Sequence, residues 1–140
     1  MPAPFTDSWA RACCAALADS AEYRAAAGDR AWTIALACDA EPAAGIAAAA
    51  AVDFDLAAGG CRSARATTPE DARADVVLRG DLATWAAVLR GDVDPVAAVT
   101  SGRLEIARGS MFALFPLVGP ARALLAAARA VPTELPDSIR

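Results

Sequence analysis

Histidine and lysine are both missing from this 140-residue chain. Without an imidazole, no side chain has an ordinary pKa near neutrality, which removes Ser-His-Asp triads, histidine-ligated zinc sites and most general-base chemistry. The four cysteines, Cys13, Cys14, Cys38 and Cys61, show no C-x-x-C spacing, and a zinc site would need all four thiolates gathered from scattered elements. They are expected to be reduced and to act as small core residues. The neighbours Cys13 and Cys14 point about 100° apart on a helix and receive no role. Gly59-Gly60 stands without a G-x-G-x-x-G or Walker pattern, so nucleotide binding has no support. The first residues carry no basic region followed by an apolar run, so no secretory signal is read and a cytoplasmic location is expected. No uninterrupted apolar run reaches bilayer length. The longest, Met111 to Ala121, holds two prolines and ends at Arg122, so stable insertion is not expected while transient membrane contact stays open.

What remains fits one domain, 1–140, with a core over 8–131 and a loose tail over 132–140. A chain of this size buries roughly two-thirds of its unfolded surface, enough for one core and one cavity. A net charge of −4 and a pI near 4.7 make a phosphate-binding basic face, and therefore a nucleic-acid partner, a poor reading. Forty alanines account for much of the 56% apolar content. Alanine is a small helix former, so the figure overstates how greasy the core is.

Taken in order, Thr6, Asp7 or Ser8 can cap a helix whose stripe runs through Trp9, Cys13, Ala16, Leu17 and Tyr23 and ends near Ala27-Gly28. From Ala31 to Asp39, Trp32, Ile34, Leu36 and Cys38 alternate with smaller residues, the period of a strand. Ile46 to Leu56 mixes an alanine run with alternation at Val52, Phe54 and Leu56 against Asp53 and Asp55, and reads as a second strand. Cys61 to Thr67, studded with Arg62 and Arg65, reads as a third strand near an exposed edge. Thr68 to Arg73 carries the chain across.

Asp53 and Asp55, with Asp39 from a neighbouring strand, form the best remaining polar constellation, able to hold a hard cation or share a proton. The plainer reading makes them the solvated face of an antiparallel strand.

The chain is organised around Ala74 to Gly109: a strand from Ala74 to Leu78, a turn at Arg79-Gly80-Asp81, a helix with Trp85, Val88 and Leu89, a break at Gly91 to Pro95, a helical turn through Val96 and Val99, and a strand from Arg103 to Arg108. This block resembles the sterol carrier protein type 2 family. The matching positions are Ala74-Asp75-Val76-Val77-Leu78, Trp85, Leu89, Gly91, Pro95, Ala98-Val99 and Gly102-Arg103-Leu104-Glu105-Ile106-Ala107-Arg108-Gly109. The resemblance implies a stand-alone, bacterial-type member with an α+β fold. Its five-stranded, mixed but mostly antiparallel sheet is covered by helices in the order α-β-β-β-crossover-β-α-β-α.

The second half also carries a surplus of large apolar side chains: Leu78, Trp85, Val88, Leu89, Val96, Val99, Leu104, Ile106, Met111, Phe112, Leu114, Phe115, Leu117 and Val118. Such stripes are ordinarily plain core. The resemblance instead implies that they enclose an apolar tunnel for lipid. One departure stands out, because Phe115-Pro116-Leu117-Val118-Gly119-Pro120 interrupts what should be a continuous closing helix. Ser110 can cap a short helix through about Phe115 and Pro120 suits the first turn of another, so two pieces or a sharp kink are expected.

The leading functional reading is a non-catalytic carrier of a sterol, fatty acid, acyl-CoA or phospholipid, needing no cofactor or metal. The alternative is a structural or interaction domain with a filled core and an apolar homodimer surface. A third reading, an enzyme using the aspartates with a metal or cofactor, is weakened by the missing histidine.

Overall fold

A computed structural model of the chain describes residues 3–134. Helix α1 (Asp7–Ala18) and helix α2 (Ala21–Ala27) precede strands β1 (Trp32–Cys38), β2 (Ala50–Ala57) and β3 (Gly60–Thr67). Then follow β4 (Val76–Gly80), α3 (Leu82–Arg90), α4 (Pro95–Thr100), β5 (Glu105–Arg108), α5 (Met111–Leu114) and α6 (Val118–Arg129), with a short 3₁₀ turn at Phe115–Leu117. The sheet runs β3-β2-β1-β4-β5. Strand β1 pairs in parallel with β4, and the other pairs are antiparallel. This is the mixed α+β architecture that the sequence leads one to expect.

One sequence expectation about helices changes and another is met. The first helix breaks in two because Ser20 accepts the Tyr23 N–H at 3.0 Å and starts α2 afresh, a local bond that competes with continued helix. At the other end, Met111–Arg129 is helical almost throughout, 19 residues of mean hydropathy 1.6, long and apolar enough by length and composition to cross a bilayer. A core helix has the same properties. Here Ala121, Leu124, Leu125 and Ala128 are buried, and α6 packs on α1, α2 and α3. The 3₁₀ turn at Phe115–Leu117 marks the expected interruption between two helical pieces.

Helices cover one face of the sheet. Ile34, Leu36, Val52, Phe54, Leu56, Val76 and Leu78 point into that core beside Trp9, Leu17, Tyr23, Trp85 and Leu124. Each indole that reaches this interior finds an acceptor, as buried N–H groups require. Trp85 donates to the Ala37 carbonyl at 2.8 Å, Trp32 to the Tyr23 hydroxyl at 2.9 Å, and Trp9 to the Thr133 hydroxyl at 2.9 Å. The last bond ties down Thr133, which the sequence assigns to a loose tail; residues 135–140 of that tail lie outside the described residues. At position 80 an added methyl would come within 2.5 Å of Leu104 Cδ2, so the leucine side chain would have to shift to admit it.

The opposite face is covered by the crossover between β3 and β4, where Ala72 and Ala74 lie against Ala35, Ala37, Ala51 and Val77. Asp53 fastens it. The residue is 8% exposed, and its carboxylate accepts the backbone N–H of Arg73 at 2.8 Å and of Ala74 at 3.1 Å, with Arg65 at 3.1 Å. Arg108 holds the same segment from the other side, donating to the carbonyls of Ala72 (2.6 Å) and Ala74 (3.0 Å). Asp53 therefore does not belong to a solvated face, as its alternation suggests. Asp55 faces Arg62 at 3.8 Å and Asp39 pairs with Arg79 at 2.6 Å.

The cysteines also correct a sequence expectation. Cys14 and Cys61 form a disulfide that joins α1 to the edge strand β3 across 47 residues of chain, while Cys13 and Cys38 are free and buried. Spacing could not reveal this pair, because the hairpin that brings Cys61 under α1 is a tertiary event.

Three measurements check these assignments. Cys14→Ser should cost about 2–4 kcal/mol, seen as a lower melting temperature, and thiol titration of the denatured, unreduced protein should find two free thiols. Asp53→Ala leaves two crossover amides without their carboxylate and should cost about 3 kcal/mol in chemical denaturation. Trp85→Ala should cost about 3–5 kcal/mol, whereas Trp85→Phe, keeping an aromatic ring and losing the bond to Ala37, should lose about 1–2 kcal/mol.

Candidate functional site

The apolar residues of the second half divide into two groups. Leu78, Trp85, Val88, Leu89, Leu104 and Leu114 are buried and belong to the filled core. Val96, Val99, Ile106, Leu117 and Val118 are half-buried, while Met111, Phe112 and Phe115 are 39%, 91% and 72% exposed. The second group gathers along one seam.

Three short elements build that seam, and each is fixed locally at its start. Asp94 caps α4 by accepting the Ala97 N–H at 3.1 Å, and Pro95 follows at the first helical position, where its missing N–H costs nothing. Ser110 caps α5 through the Ala113 N–H at 3.2 Å. Pro120 sits in the first turn of α6, again where no intrahelical donor is lost. Between α4 and the start of α6 lies a recess of about 320 Å³ lined by Val96, Val99, Met111, Leu114, Phe115 and Val118. Beneath it a crevice of about 10 Å³ reaches Leu78 and Ala121. Val99 and Met111 also border a shallower hollow of about 560 Å³ running past Leu104, Glu105 and Ile106 along the edge strand β5. The three adjoin at Val99, and we refer to them together as the furrow, apolar in the recess and crevice and partly polar at Thr100 and Glu105.

A salt bridge ties the N-cap of α4 to α6, two of the elements that line the recess. Arg122 of α6 donates to Asp94 from Nε at 2.8 Å and from Nη2 at 3.1 Å. The Arg122 hydrogen bond holds the Asp94 carboxyl below its usual range, against the smaller opposing effect of burial. Because that pKa is depressed, whatever this latch contributes is present above the ordinary carboxylate pKa and fades as pH falls through the lowered value. The sequence reading treats Asp94-Pro95 only as a break and overlooks Arg122 as its partner, because the two residues are 28 apart in the chain.

Reactive chemistry is weakly represented elsewhere. Burial pushes the Cys13 and Cys38 thiols up to about 12, so neither is a thiolate near neutral pH. Asp53 and Asp55 border a polar hollow of about 190 Å³ with Thr33, Ser63, Arg65 and Arg73, but Asp53 is spent on the crossover. Among the described residues no three acids or cysteines stand close enough to hold a metal ion.

Comparison with known proteins bears on this arrangement. The model of the SCP-2 sterol transfer family matches residues 13–114. The crystal structure of a sterol carrier protein 2 superposes with a TM-score of 0.85 at 41% identity, covering 92% of this chain and 99% of that one. The solution structure of a conserved hypothetical protein from Thermus thermophilus, described as possibly a sterol carrier protein, gives 0.83 at 41% identity over 93% of this chain and 90% of that one. Sterol Carrier Protein 2 from Yarrowia lipolytica, in its apo form, shares the fold at 0.56 and 13% identity over 89% of each chain. No curated protein matches. The Trp85 and Gly102–Gly109 signatures, the sheet order and a family match over most of the chain agree, and this protein belongs to the SCP-2 sterol transfer family.

Proposed function

We propose that the protein binds and transfers a lipid, holding its apolar part in the furrow between α4, β5 and the C-terminal helices, without catalysing a reaction on it. Family membership supports lipid binding in general. The observation that carries the finer reading is the 320 Å³ recess, whose lining residues are all apolar and whose size falls at the lower end of small-molecule sites. Binding there is driven by desolvation, with few polar anchors to select among a sterol, a fatty acid, an acyl-CoA or a phospholipid. Val96, Val99, Leu114 and Val118 serve as the walls of the site, whereas Trp85, Val88 and Leu89 stay in the core and do not line it.

A chain longer than the recess requires α4 and α6 to part. The Asp94–Arg122 bridge is exposed and therefore a weak restraint, and the 3₁₀ turn at Phe115–Leu117 provides a natural flexing point. These two features support entry between Met111 and Leu125.

Val99 borders every section of the furrow and is only half-buried, so it can be altered with little harm to the core. Leu114, by contrast, is 4% exposed and a charge there would unfold the site. Val99→Asp should weaken uptake of a fluorescent fatty acid by roughly tenfold or more, with an unchanged circular dichroism spectrum. Normal uptake by this variant would remove the furrow from consideration, and no uptake by the native protein would remove the carrier reading.

A further inference from the structure

Strand pairing lines up two rows of side chains on the sheet face that points away from the helices. Thr33, Asp55 and Ser63 stand side by side across β1, β2 and β3, and in the next row Asp53 stands between Ala35 and Arg65. The crossover gathers over Ala35. The polar row beyond it borders the hollow of about 190 Å³, together with Arg65, Arg73 and Ala74. One buried carboxylate positions both arginines, because Asp53 accepts the Arg65 Nη2 at 3.1 Å and the Arg73 backbone N–H at 2.8 Å. What the hollow leaves unspent is mostly donor. Among the described residues the Arg73 guanidinium and the Ser63 hydroxyl have no hydrogen-bond or ion-pair partner. The Thr33 hydroxyl, whose oxygen accepts the Asp75 N–H at 2.9 Å, still has its own proton to give. Asp55 supplies the acceptor, since its ion pair with Arg62 Nε, at 3.8 Å, is too long for a hydrogen bond.

We infer that this hollow is a second binding site, for a short carboxylic acid that carries a hydroxyl or ammonium group of its own. The ligand's carboxylate sits against Arg73 and Arg65, whose planar guanidinium forks match its two oxygens. Its hydroxyl or ammonium group donates to Asp55. The mixed lining selects both ends: a bare anion leaves the Asp55 charge opposed by nothing, and a bare cation meets two arginines. Size narrows the class further. The hollow is smaller than the roughly 300 Å³ at which drug-sized sites begin, so it takes a molecule of few heavy atoms. The site also stands apart from lipid binding, because it lies on the other face of the sheet from Leu78 and the crevice that Leu78 lines.

Backbone-amide NMR of the full chain, titrated at constant ionic strength with L-lactate, L-alanine and propionate, tests the site. These probes share one carbon skeleton and differ at a single substituent, which is a hydroxyl, an ammonium or a hydrogen. Lactate and alanine should give saturable shifts at the amides of Ser63, Arg73 and Ala74, and none at Val96 or Val99 of the recess. The tighter of the two names the donor that Asp55 prefers. Propionate should bind roughly tenfold or more weakly, because it leaves Asp55 without a donor. Arg73→Gln, which keeps the backbone bond to Asp53, should weaken both ligands by roughly tenfold or more, and Asp55→Asn should bring alanine down to the level of propionate. Neither residue borders the furrow and neither is buried, so both variants should keep the native melting temperature and the native uptake of a fluorescent fatty acid. No saturable shift with either lactate or alanine, propionate binding as tightly as both, or undiminished alanine binding in either variant would overturn the site.

Discussion

The buried carboxylate of Asp53 is the constraint on which much of the architecture hangs. A strand can join β1 in parallel only if the chain first crosses the sheet, and the crossover from Thr67 to Val76 must travel over a face with few large side chains to grip it. Asp53 supplies the grip by accepting the amides of Arg73 and Ala74, Arg108 supplies a second by donating to the carbonyls of Ala72 and Ala74, and the Thr33 hydroxyl accepts the Asp75 N–H at 2.9 Å. Small residues at Ala35, Ala37 and Ala51 let the segment lie close. With the crossover fastened, β4 enters in register beside β1, Leu36 opposite Leu78 and Cys38 opposite Gly80.

The placement of the furrow follows from where β4 ends. Gly80 delivers the chain to Asp81, which caps α3 through the Thr84 N–H at 2.8 Å and aims Trp85 at the core. The tight end of α3 at Gly91, with φ of 84°, is sealed by Arg129, whose Nε donates to the Leu89 carbonyl at 2.9 Å while its guanidinium lies over the glycine. Helix α6 is thereby held at one end by Arg129 and at the other by Arg122 on Asp94. Between these two fastenings the seam with α4 is apolar and shallow. A rigid frame with one weakly closed seam is the arrangement expected of a protein that admits a ligand without changing its fold.

The disulfide plays a complementary part in the first half. Alanine dominates there, so α1 has little apolar bulk beyond Trp9 and Leu17 with which to grip the β2–β3 hairpin. Cys14–Cys61 adds a covalent tie at that contact. Asp7 reinforces it by accepting the Ala66 N–H at 2.7 Å, covering an amide on the edge strand that would otherwise invite pairing.

By itself the sequence determined the element order apart from the split of the first helix, the strands with period-two alternation, the helices of Ala74 to Gly109, and the motif glycines Gly91, Gly102 and Gly109, which all adopt left-handed backbone. These are local properties, set by side-chain size, hydrogen bonding within a few residues and the freedom of a residue lacking Cβ. Tertiary structure decided the rest. Asp53 and Asp55 alternate identically in the sequence, yet only one is buried, because the crossover lands on it. Cys14 and Cys13 are neighbours, yet only one meets Cys61. The fourteen apolar residues of the second half read as a single set, but packing sent Trp85, Val88 and Leu104 into the core and left Phe112 and Phe115 in water. Hydrophobicity tells a residue to seek cover; which residues find it depends on surfaces that exist only once distant segments have met.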